Sequence, residues 1–478
     1  MGVAINTKID TFTNNGFINS PGSGQWNNGI WISSNATIEK LVNNGTIKGG
    51  HSAIMVTSQH IKTVENTGII HAEGEWGSSI LLEYGGFIEH IINTGTISSN
   101  NVGIGSAYGV FGTLTIKDGG IVYGKEAGIL VGQWQTLGDL YIDGGKNTSK
   151  DGTVSGIYGD NNGISLNESS KTQKIELVNG GIIKGKVHGI RLDNGASLSG
   201  EMILSGEGSR VEGGSGAGIS NQSGKIEGSI KVEDGATVTS SSGQAISNSG
   251  SGSITGGITV SGENTKLEGN IINTGNASIG SDIKIEDGAK VEGGLVNQGN
   301  GSISGSVQVS GGSSIDSITN TGNGAISGSI TVDKDSKLDS ITNTSTSDTG
   351  ISGSITNNSD NKLEISNGEG ATIGGGITNN GNADLVISNQ GSVGKDDHGN
   401  TVTNNGSGSV GIKDWVVSTD KNTGKLDTVV VGGSGKDNVK VENITVDQSN
   451  VNLDELGNIN NIISGVNQSN IGNIGTNG

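Results

Sequence analysis

The sequence is dominated by one short apolar segment that returns throughout the first half of the chain. It consists of a small residue, then isoleucine, then alternating side chains, as in Gly29-Ile30-Trp31-Ile32. A recurrence at such regular spacing indicates a repeat architecture, and it constrains the fold more strongly than any local preference. The recurring isoleucines, at steps of 24 to 35 residues, are Ile30, Ile54, Ile80, Ile104, Ile129, Ile164, Ile190, Ile219 and Ile246.

Two further series of residues recur at about the same spacing as the first. One is a strand that ends in Asn-x-Gly, as in Ile91-Ile92-Asn93-Thr94-Gly95, and it recurs in both halves of the chain. Each repeat therefore contains roughly three short strands, separated by turns rich in Gly, Asn, Ser and Asp. The other series is Gly-x-Ile-x-Val in the second half, with its branched residue at Ile258, Ile283, Val307, Ile330 and Ile355.

A single repeat buries too little apolar surface to offset its loss of conformational entropy, so the repeats must stack. Parallel stacking of equivalent strands about 4.8 Å apart pairs the backbone of each rung with its neighbours. It also superimposes the isoleucines in an interior column, and it places the Asn of Asn-x-Gly at a corner where stacked amides bond along the axis. The sequence therefore predicts an all-β fold, a parallel β-helix (β-solenoid) with rungs of about 25 residues.

Composition excludes several other classes of protein. The 478 residues include 88 Gly and only 1 Pro, without a period of three, which excludes collagen. Disorder is the main rival at 30% hydrophobic residues, but a disordered chain has no reason to keep a regular Ile/Val spacing. The net charge of −19 argues against nucleic acid as a partner. The absence of Cys excludes disulfides, zinc-thiolate sites and a thiol nucleophile.

Four regions are expected along the chain. Residues 1–160 form aromatic-rich rungs with a cap, residues 161–250 irregular rungs with loops, and residues 251–412 low-complexity consensus rungs. Residues 413–478 are predicted to contain a hairpin of Trp415–Ser418 with Asp427–Val431, then a short helix or tether over 453–463. The sequence shows neither a signal-peptide pattern nor a run of about 18 apolar residues, so we expect a cytosolic chain or, preferably, an excised mature fragment.

The rungs of the type Ile91-Ile92-Asn93-Thr94-Gly95-Thr96-Ile97, followed by the Trp415 segment, carry a resemblance over essentially the whole chain. They resemble passenger domains of bacterial autotransporters (type V secretion), in the style of Campylobacter and Helicobacter passengers. The resemblance implies a right-handed parallel β-helix that is secreted or displayed on the bacterial cell surface, with the region after residue 413 serving as a stability region. It also implies membrane contact only through a C-terminal β-barrel outside this sequence.

The sequence offers little catalytic chemistry. The segment Gly213-Gly214-Ser215-Gly216 lacks the Asp that precedes the serine of Gly-Asp-Ser-Gly proteases, and only His188 and His398 lie outside the N-terminal third to serve as a base. We therefore predict no enzyme, no metal site and no cofactor.

Other candidate motifs favour structural interpretations. The match of Gly432–Lys440 to a calcium-binding nonapeptide stands alone, whereas such sites are shared between tandem copies. Four Asp-Gly pairs, at Asp118, Asp143, Asp234 and Asp287, are typical of tight turns. The spacings between four N-terminal histidines match no metal-binding motif, namely those between His51, His60, His71 and His90.

The aromatic residues of the first 160 positions are the strongest functional candidates. Ile, Val and Leu already fill the interior, so aromatics at alternating positions, as in Ile30-Trp31-Ile32, should point outward. Exposed Trp and Tyr commonly anchor protein and glycan recognition. The alternative is a cap that shields the N-terminal strand edge. The sequence supports the cap and the binding role equally for Phe12, Phe17 and Trp26. The predicted ligand-binding residues are Trp31, Trp76, Trp134, Tyr84 and Tyr108.

The predicted function is that of a non-catalytic adhesin or virulence factor. It would bind a host-cell surface protein, matrix or glycan, or self-associate between cells, through many weak contacts. One alternative is a carbohydrate-active β-helix enzyme (polysaccharide lyase or hydrolase) using Asp118, Asp143 and Glu126, which requires a cleft with convergent carboxylates. The other is a purely structural stalk, favoured if residues 250–412 are featureless.

Overall fold

The repeats fold as a parallel β-solenoid. In the computed structural model the chain makes about 17 turns with rungs of about 26 residues, so the predicted fold class is confirmed. The structure describes residues 2–22, 24, 26–33, 35–145, 154–419, 426–449, 451 and 461–477. It comprises two compact units, Met1–Gly256 with Asn264–Gly269, and Gly257–Glu263 with Asn270–Gly478. Among the described residues the helices are two short 3₁₀ segments, Lys436–Asn438 and Gln468–Asn470, and none has the length and apolar character of a membrane span.

The strands are short and follow one another closely along the chain. The first thirty are β1 Val3–Ile5, β2 Lys8–Asn14, β3 Phe17–Ser20, β4 Ile30–Ile32, β5 Thr37–Asn43, β6 Thr46–Gly49, β7 Ile54–Thr57, β8 His60–Asn66, β9 Ile69–Ala72, β10 Ser78–Glu83, β11 Gly86–Asn93, β12 Thr96–Ser99, β13 Val102–Ser106, β14 Gly109–Ile116, β15 Ile121–Gly124, β16 Ala127–Val131, β17 Thr136–Asp143, β18 Gly156–Gly159, β19 Asn162–Leu166, β20 Lys171–Val178, β21 Ile182–Gly185, β22 His188–Leu192, β23 Ser197–Leu198, β24 Met202–Ser205, β25 Arg210–Gly213, β26 Ile219–Gln222, β27 Lys225–Ile226, β28 Ile230–Glu233, β29 Thr237–Ser249 and β30 Ser253–Ile254. The others are β31 Ile258–Ser261, β32 Lys266–Asn273, β33 Ser278–Ile279, β34 Ile283–Glu286, β35 Lys290–Asn297, β36 Ser302–Ile303, β37 Val307–Val309, β38 Ser314–Gly322, β39 Ala325–Ile326, β40 Ile330–Val332, β41 Lys337–Ser345, β42 Ile355–Asn357, β43 Leu363–Asn367, β44 Thr372–Ile373, β45 Ile377–Asn379, β46 Leu385–Asn389, β47 Ser392–Val393, β48 Val402–Asn404, β49 Val410–Val417, β50 Val429–Gly432, β51 Val439–Asp447, β52 Ile463–Ser464 and β53 Ile471–Asn477.

Each turn of the first unit has three sides, as in β7, β8 and β9. The first and third strands of a turn belong to one sheet (sheet 1), and the second strand belongs to another (sheet 2). Ile30, Ile54 and Ile80 are Cα partners on successive turns, and all three are buried. The same column continues through Ile104, Ile129, Ile164, Ile190, Ile219 and Ile246. The predicted interior column is therefore confirmed, and each buried isoleucine contributes about 1.5–3 kcal/mol.

The second unit keeps the same principle with a different column. Ile258, Ile283 and Val307 are Cα partners on successive turns, and the column continues through Ile330, Ile355, Ile377 and Val402. All of these side chains are buried. The Gly-x-Ile-x-Val series is thus a second aliphatic column, as its spacing predicts.

Buried asparagine side chains stack at a corner of the first unit. The Asn43 side-chain amide donates to the Asn66 side-chain oxygen at 2.8 Å and to the backbone carbonyl of Ile69 at 3.1 Å. Such a ladder gives each buried amide group hydrogen-bond partners within the protein. It runs through Asn14, Asn43, Asn66 and Asn93, and it ends where Ile116 takes the next position. The corner role predicted for Asn-x-Gly is confirmed.

The second unit contains two such ladders on different sheets. One follows sheet 1 through Asn273, Asn297, Asn320, Asn343, Asn367 and Asn389. The other follows sheet 2 through Asn357, Asn379 and Asn404. In the sequence these residues look like a single series. The structure shows that they fill two separate corners.

The predicted C-terminal hairpin is wrong in its pairing. β49, which contains Trp415, pairs in parallel with β46 and β51. β50 pairs in parallel with β48 and β52. Antiparallel contact in the described residues is one bridge, between Thr419 and Leu426. Both strands continue interior columns of the solenoid, and burial of their apolar side chains there outweighs mutual pairing. The predicted turn at 420–424 and the helix or tether from residue 453 lie outside the described residues, although β52 begins at Ile463.

A carboxylate organises the segment between β47 and β48. Asp396 accepts hydrogen bonds from the backbone N–H groups of His398 and Asn400 and, at 2.6 Å, from the Thr403 hydroxyl. Partial burial opposes ionisation of this carboxyl. The hydrogen bonds to the charged form outweigh burial and hold the pKa of Asp396 at about 2.

Asp396→Asn is expected to lower the free energy of unfolding by about 1 kcal/mol at pH 7, a value discounted for solvent screening. Because the folded-state pKa lies below that of the unfolded chain, the carboxylate's contribution is present above about pH 4 and is lost as the pH falls toward 2. Urea unfolding midpoints of wild type and variant between pH 7 and pH 2 measure this, with exposed Asp397→Asn as the control. A difference that persists unchanged at pH 2 would contradict the assignment.

Candidate functional site

Three exposed aromatic side chains lie at the same corner on successive turns of the first unit. Tyr84 lies between β10 and β11, Tyr108 between β13 and β14, and Trp134 between β16 and β17. Their exposed fractions are 69%, 62% and 70%. Tyr84 and Trp134 have φ angles of 51° and 60°, in the left-handed region. We call Tyr84, Tyr108 and Trp134 the aromatic corner.

The solenoid geometry brings these rings together. The rings of Tyr84 and Tyr108 are stacked, with centroids 6.5 Å apart and an interplanar angle of 18°. Trp134 occupies the corner of the following turn, where the Gly132 N–H donates to the Ser106 carbonyl at 3.1 Å. Turns about 4.8 Å apart thus place at one corner three aromatic residues that are 24 and 26 positions apart in the chain.

Apolar side chains on the adjoining strands of sheet 2 extend this surface. His60, Phe87 and Val110 are Cα partners on successive turns. The Phe87 ring stacks on the His60 ring with centroids 5.0 Å apart, and Val110 is exposed. Phe87 and Val110 were not among the predicted site residues. An alignment of the repeats, which places both at the position after the corner, would have found them.

The other two predicted residues lie elsewhere. Trp31 is half-buried on β4, where its indole N–H donates to the Thr57 hydroxyl at 3.0 Å and its ring lies 5.8 Å from that of Trp26. Trp76 is 86% exposed, but it lies between β9 and β10, at the corner that joins one turn to the next. The structure therefore brings together Tyr84, Tyr108 and Trp134 and leaves Trp31 and Trp76 apart from them.

Comparison with known proteins adds no relative. No protein-family profile, characterised protein or solved structure matches the chain. The function is therefore inferred from the chain's own residues.

Phe111 departs from the expectation that aromatics of the first 160 positions point outward, and Trp415, to which that expectation does not apply, is also buried. Phe111 and Trp415 are each 1% exposed and belong to the core. Phe111 is the Cα partner of Ile88 and Leu137 in an interior column, so its turn accommodates a ring where neighbouring turns carry aliphatic side chains.

The Asp-Gly pairs act as turns. Asp118, Asp234 and Asp287 have φ angles of 52°, 55° and 57°, and the glycine after each is also left-handed. The Asp143 carboxylate accepts a hydrogen bond from the Gly145 N–H at 2.9 Å. These conformations confirm the turn interpretation of the pattern.

His60 lies 3.6 Å from the Glu89 carboxylate, whereas other N-terminal histidines contact hydroxyl groups. His71 meets the Ser98 hydroxyl at 2.9 Å and His90 the Thr113 hydroxyl at 2.8 Å, both on the next turn. Within the described ranges no group of three or more His, Cys, Asp or Glu side chains is arranged to hold a metal ion. Asp118 precedes β15 and Glu126 follows it, so these two acids lie at opposite ends of one strand.

Proposed function

We propose that the chain is an adhesin-type passenger of an autotransporter, presented at the bacterial surface, and that the aromatic corner contacts a protein or glycan of a host cell. The observation that carries this proposal is the alignment of Tyr84, Tyr108 and Trp134, each more than half exposed, along one corner. Large aromatic side chains dominate the energetics of interfaces because their burial removes much apolar area at little cost in side-chain entropy.

The distribution of exposed apolar residues supports this location. Among described residues after 153, one large hydrophobic side chain is exposed, that of Ile474, whereas the described residues of the first 140 positions expose eight. The later turns thus provide scaffold, and the contact surface is concentrated in the earlier ones. The net charge of −19 opposes long-range attraction to an anionic cell surface, so short-range contacts of the rings must supply the affinity.

Replacement of all three corner residues by serine is expected to weaken binding to epithelial cells about 100-fold or more. Serine suits this corner, because Ser58 and Ser169 occupy it on neighbouring turns with φ angles of 54° and 58°. The corner variant should therefore keep the wild-type circular dichroism spectrum. Binding is measured by flow cytometry with labelled protein.

The matched control replaces three equally exposed aromatics outside the corner, Phe17, Trp26 and Trp76, by serine. We expect this control to bind within about twofold of wild type. Full binding by the corner variant would contradict the proposal, and loss of binding by the control alone would move the contact surface to those residues. Self-association is separated from cell binding by sedimentation of the protein alone.

A further inference from the structure

A second aromatic surface lies on the third strands of the first unit, away from the aromatic corner. Tyr123 on β15 and Tyr158 on β18 are Cα partners on successive turns, and Lys184 on β21 follows in the same column. Together they line a groove of about 460 Å³. The other lining residues are Ile121, Gly159, Asp160 and Lys186.

A glycine sets the position of the Tyr158 ring. A Cβ atom on Gly156 would lie 2.9 Å from Cε2 and 3.0 Å from the hydroxyl of Tyr158, so the ring lies over Gly156 of its own strand. The Tyr158 hydroxyl donates to the Val154 carbonyl at 3.3 Å. The ring is thereby held flat against the sheet as part of the groove floor, which a side chain at residue 156 would prevent.

A charged pair lies at the edge of this floor. The Lys186 ammonium is 3.0 Å from a carboxylate oxygen of Asp160, and the Tyr123 hydroxyl lies near this carboxylate. These contacts, with the Lys186 bond the larger effect, lower the pKa of Asp160 below its ordinary value. On the next turn, the Lys184 ammonium is 2.7 Å from the Glu212 carboxylate.

We propose that this groove binds one pyranose ring of a neutral oligosaccharide. The apolar face of a sugar ring stacks on the flat tyrosine floor, while its hydroxyl groups donate to the Asp160 carboxylate and accept from the Lys186 ammonium. An aromatic floor with a few convergent polar groups at its edge suits a ligand that is apolar on one face and hydroxylated at its rim.

Other ligand classes fit less well. An extended peptide needs an unpaired strand edge, but β15 pairs with β12 and β18, and β18 also pairs with β21. An acidic sugar needs a cation without a carboxylate partner, but the Lys186 ammonium already faces Asp160, and the Lys184 ammonium shares the Glu212 carboxylate with Arg210. Because each of these cations already faces a carboxylate, the rim favours a neutral saccharide.

The test uses saturation-transfer difference NMR on the full chain with lactose, cellobiose, maltose and N,N′-diacetylchitobiose, and with sialyllactose as the acidic comparison. We expect saturation transfer to at least one neutral disaccharide at millimolar concentration, and no tighter binding of sialyllactose than of lactose. Serine already occupies the Tyr123 position one turn earlier, as Ser98, so Tyr123→Ser should fold normally. Tyr123→Ser and Asp160→Asn should each weaken saccharide binding tenfold or more.

The control is Tyr141→Ser, a half-buried tyrosine on sheet 2, which should leave saccharide binding unchanged. No transfer to any neutral disaccharide, or equal binding by wild type and both groove variants with unchanged circular dichroism, would overturn the assignment. The corner variant should still bind the saccharide, so failure of the groove and failure of the adhesin proposal remain distinguishable: cell binding that depends on the corner, without saccharide binding, overturns only the groove.

Discussion

Asn297→Asp is expected to lower the free energy of unfolding by about 3–5 kcal/mol at pH 7. Asn297 is fully buried within the sheet 1 ladder, where its side-chain oxygen accepts from Asn273 at 2.8 Å. Its amide donates to the Asn320 side-chain oxygen at 2.8 Å and to the carbonyls of Gly301 and Ala325 at 3.1 and 3.2 Å. An ionised carboxylate would face three acceptors without a proton to donate to any of them.

The pH dependence of this loss identifies its cause. Burial among acceptors raises the folded-state pKa of the introduced carboxyl above its unfolded value of about 3.9. The folded variant therefore binds more protons than the unfolded chain, so its stability relative to wild type rises as the pH falls. The deficit should be largest at pH 7 and should shrink toward pH 4, as measured by urea unfolding midpoints across this range.

A matched control lies on the same turn. Asn300 is exposed, and its amide donates to the Asn276 side-chain oxygen at 2.8 Å in an outer ladder. Asn300→Asp makes the same chemical change in water, and we expect it to cost less than about 1 kcal/mol. Equal losses for the two variants, or a deficit at residue 297 that does not depend on pH, would show that the inner ladder does not stabilise the fold as described.

The fold could be predicted from the sequence because each repeat carries an isoleucine at the equivalent position. Ile30, Ile54 and Ile80 occupy equivalent positions of successive turns, and any parallel stacking at this period superimposes them. The sequence did not show which corner of the turn each buried asparagine occupies. Asn297 and Asn379 both begin an Asn-x-Gly turn, but the first lies on sheet 1 and the second on sheet 2.

The sequence predicted which residue types form the candidate site, but it predicted only in part which of these residues lie together. Trp76 is eight residues from Tyr84 and lies at a different corner, because β10 separates them. Trp134 is 50 residues from Tyr84 and lies two turns away at the same corner. Sequence distance therefore misleads within a solenoid, where position within the turn decides which side chains meet. The groove at Tyr158 depends on Gly156, whose role is visible only when the ring position is known.

A β-bulge explains why Trp415 is buried although alternation along its strand would place it outside. Val410 and Ile412 face the interior of β49, so strict alternation would place Asp414 inside. The register of β49 against β46 shifts after Ile412, which turns Asp414 outward and Trp415 inward. Bulges of this kind depend on pairing with neighbouring strands, so the local sequence does not predict them.

Trp415→Ala is expected to lower the free energy of unfolding by about 3–5 kcal/mol. Trp415 is 1% exposed and is the largest fully buried side chain of the described residues. It takes the position after Asn389 where the sheet 1 ladder ends, and its indole N–H donates to the Asp427 carbonyl at 3.3 Å. Alanine would leave a cavity next to the last amide of the ladder and would remove the donor for this carbonyl.

The comparison variant is Trp134→Ala, which removes the same side chain from an exposed corner and should change stability by less than about 0.5 kcal/mol. Trp415→Phe, which restores most of the volume without the N–H donor, should fall between the two, at about 1–2 kcal/mol. Thermal and urea unfolding followed by circular dichroism measure all three, because loss of Trp415 alters the fluorescence of the chain itself. Since Trp415 fills the interior beyond the last asparagine of the sheet 1 ladder, its loss should also speed amide hydrogen exchange in β46 and β51, the strands that pair with β49.

Equal stability of the two alanine variants would mean that the interior closes around the cavity at no cost in free energy, and that residue 415 does not terminate the ladder in the way its position indicates.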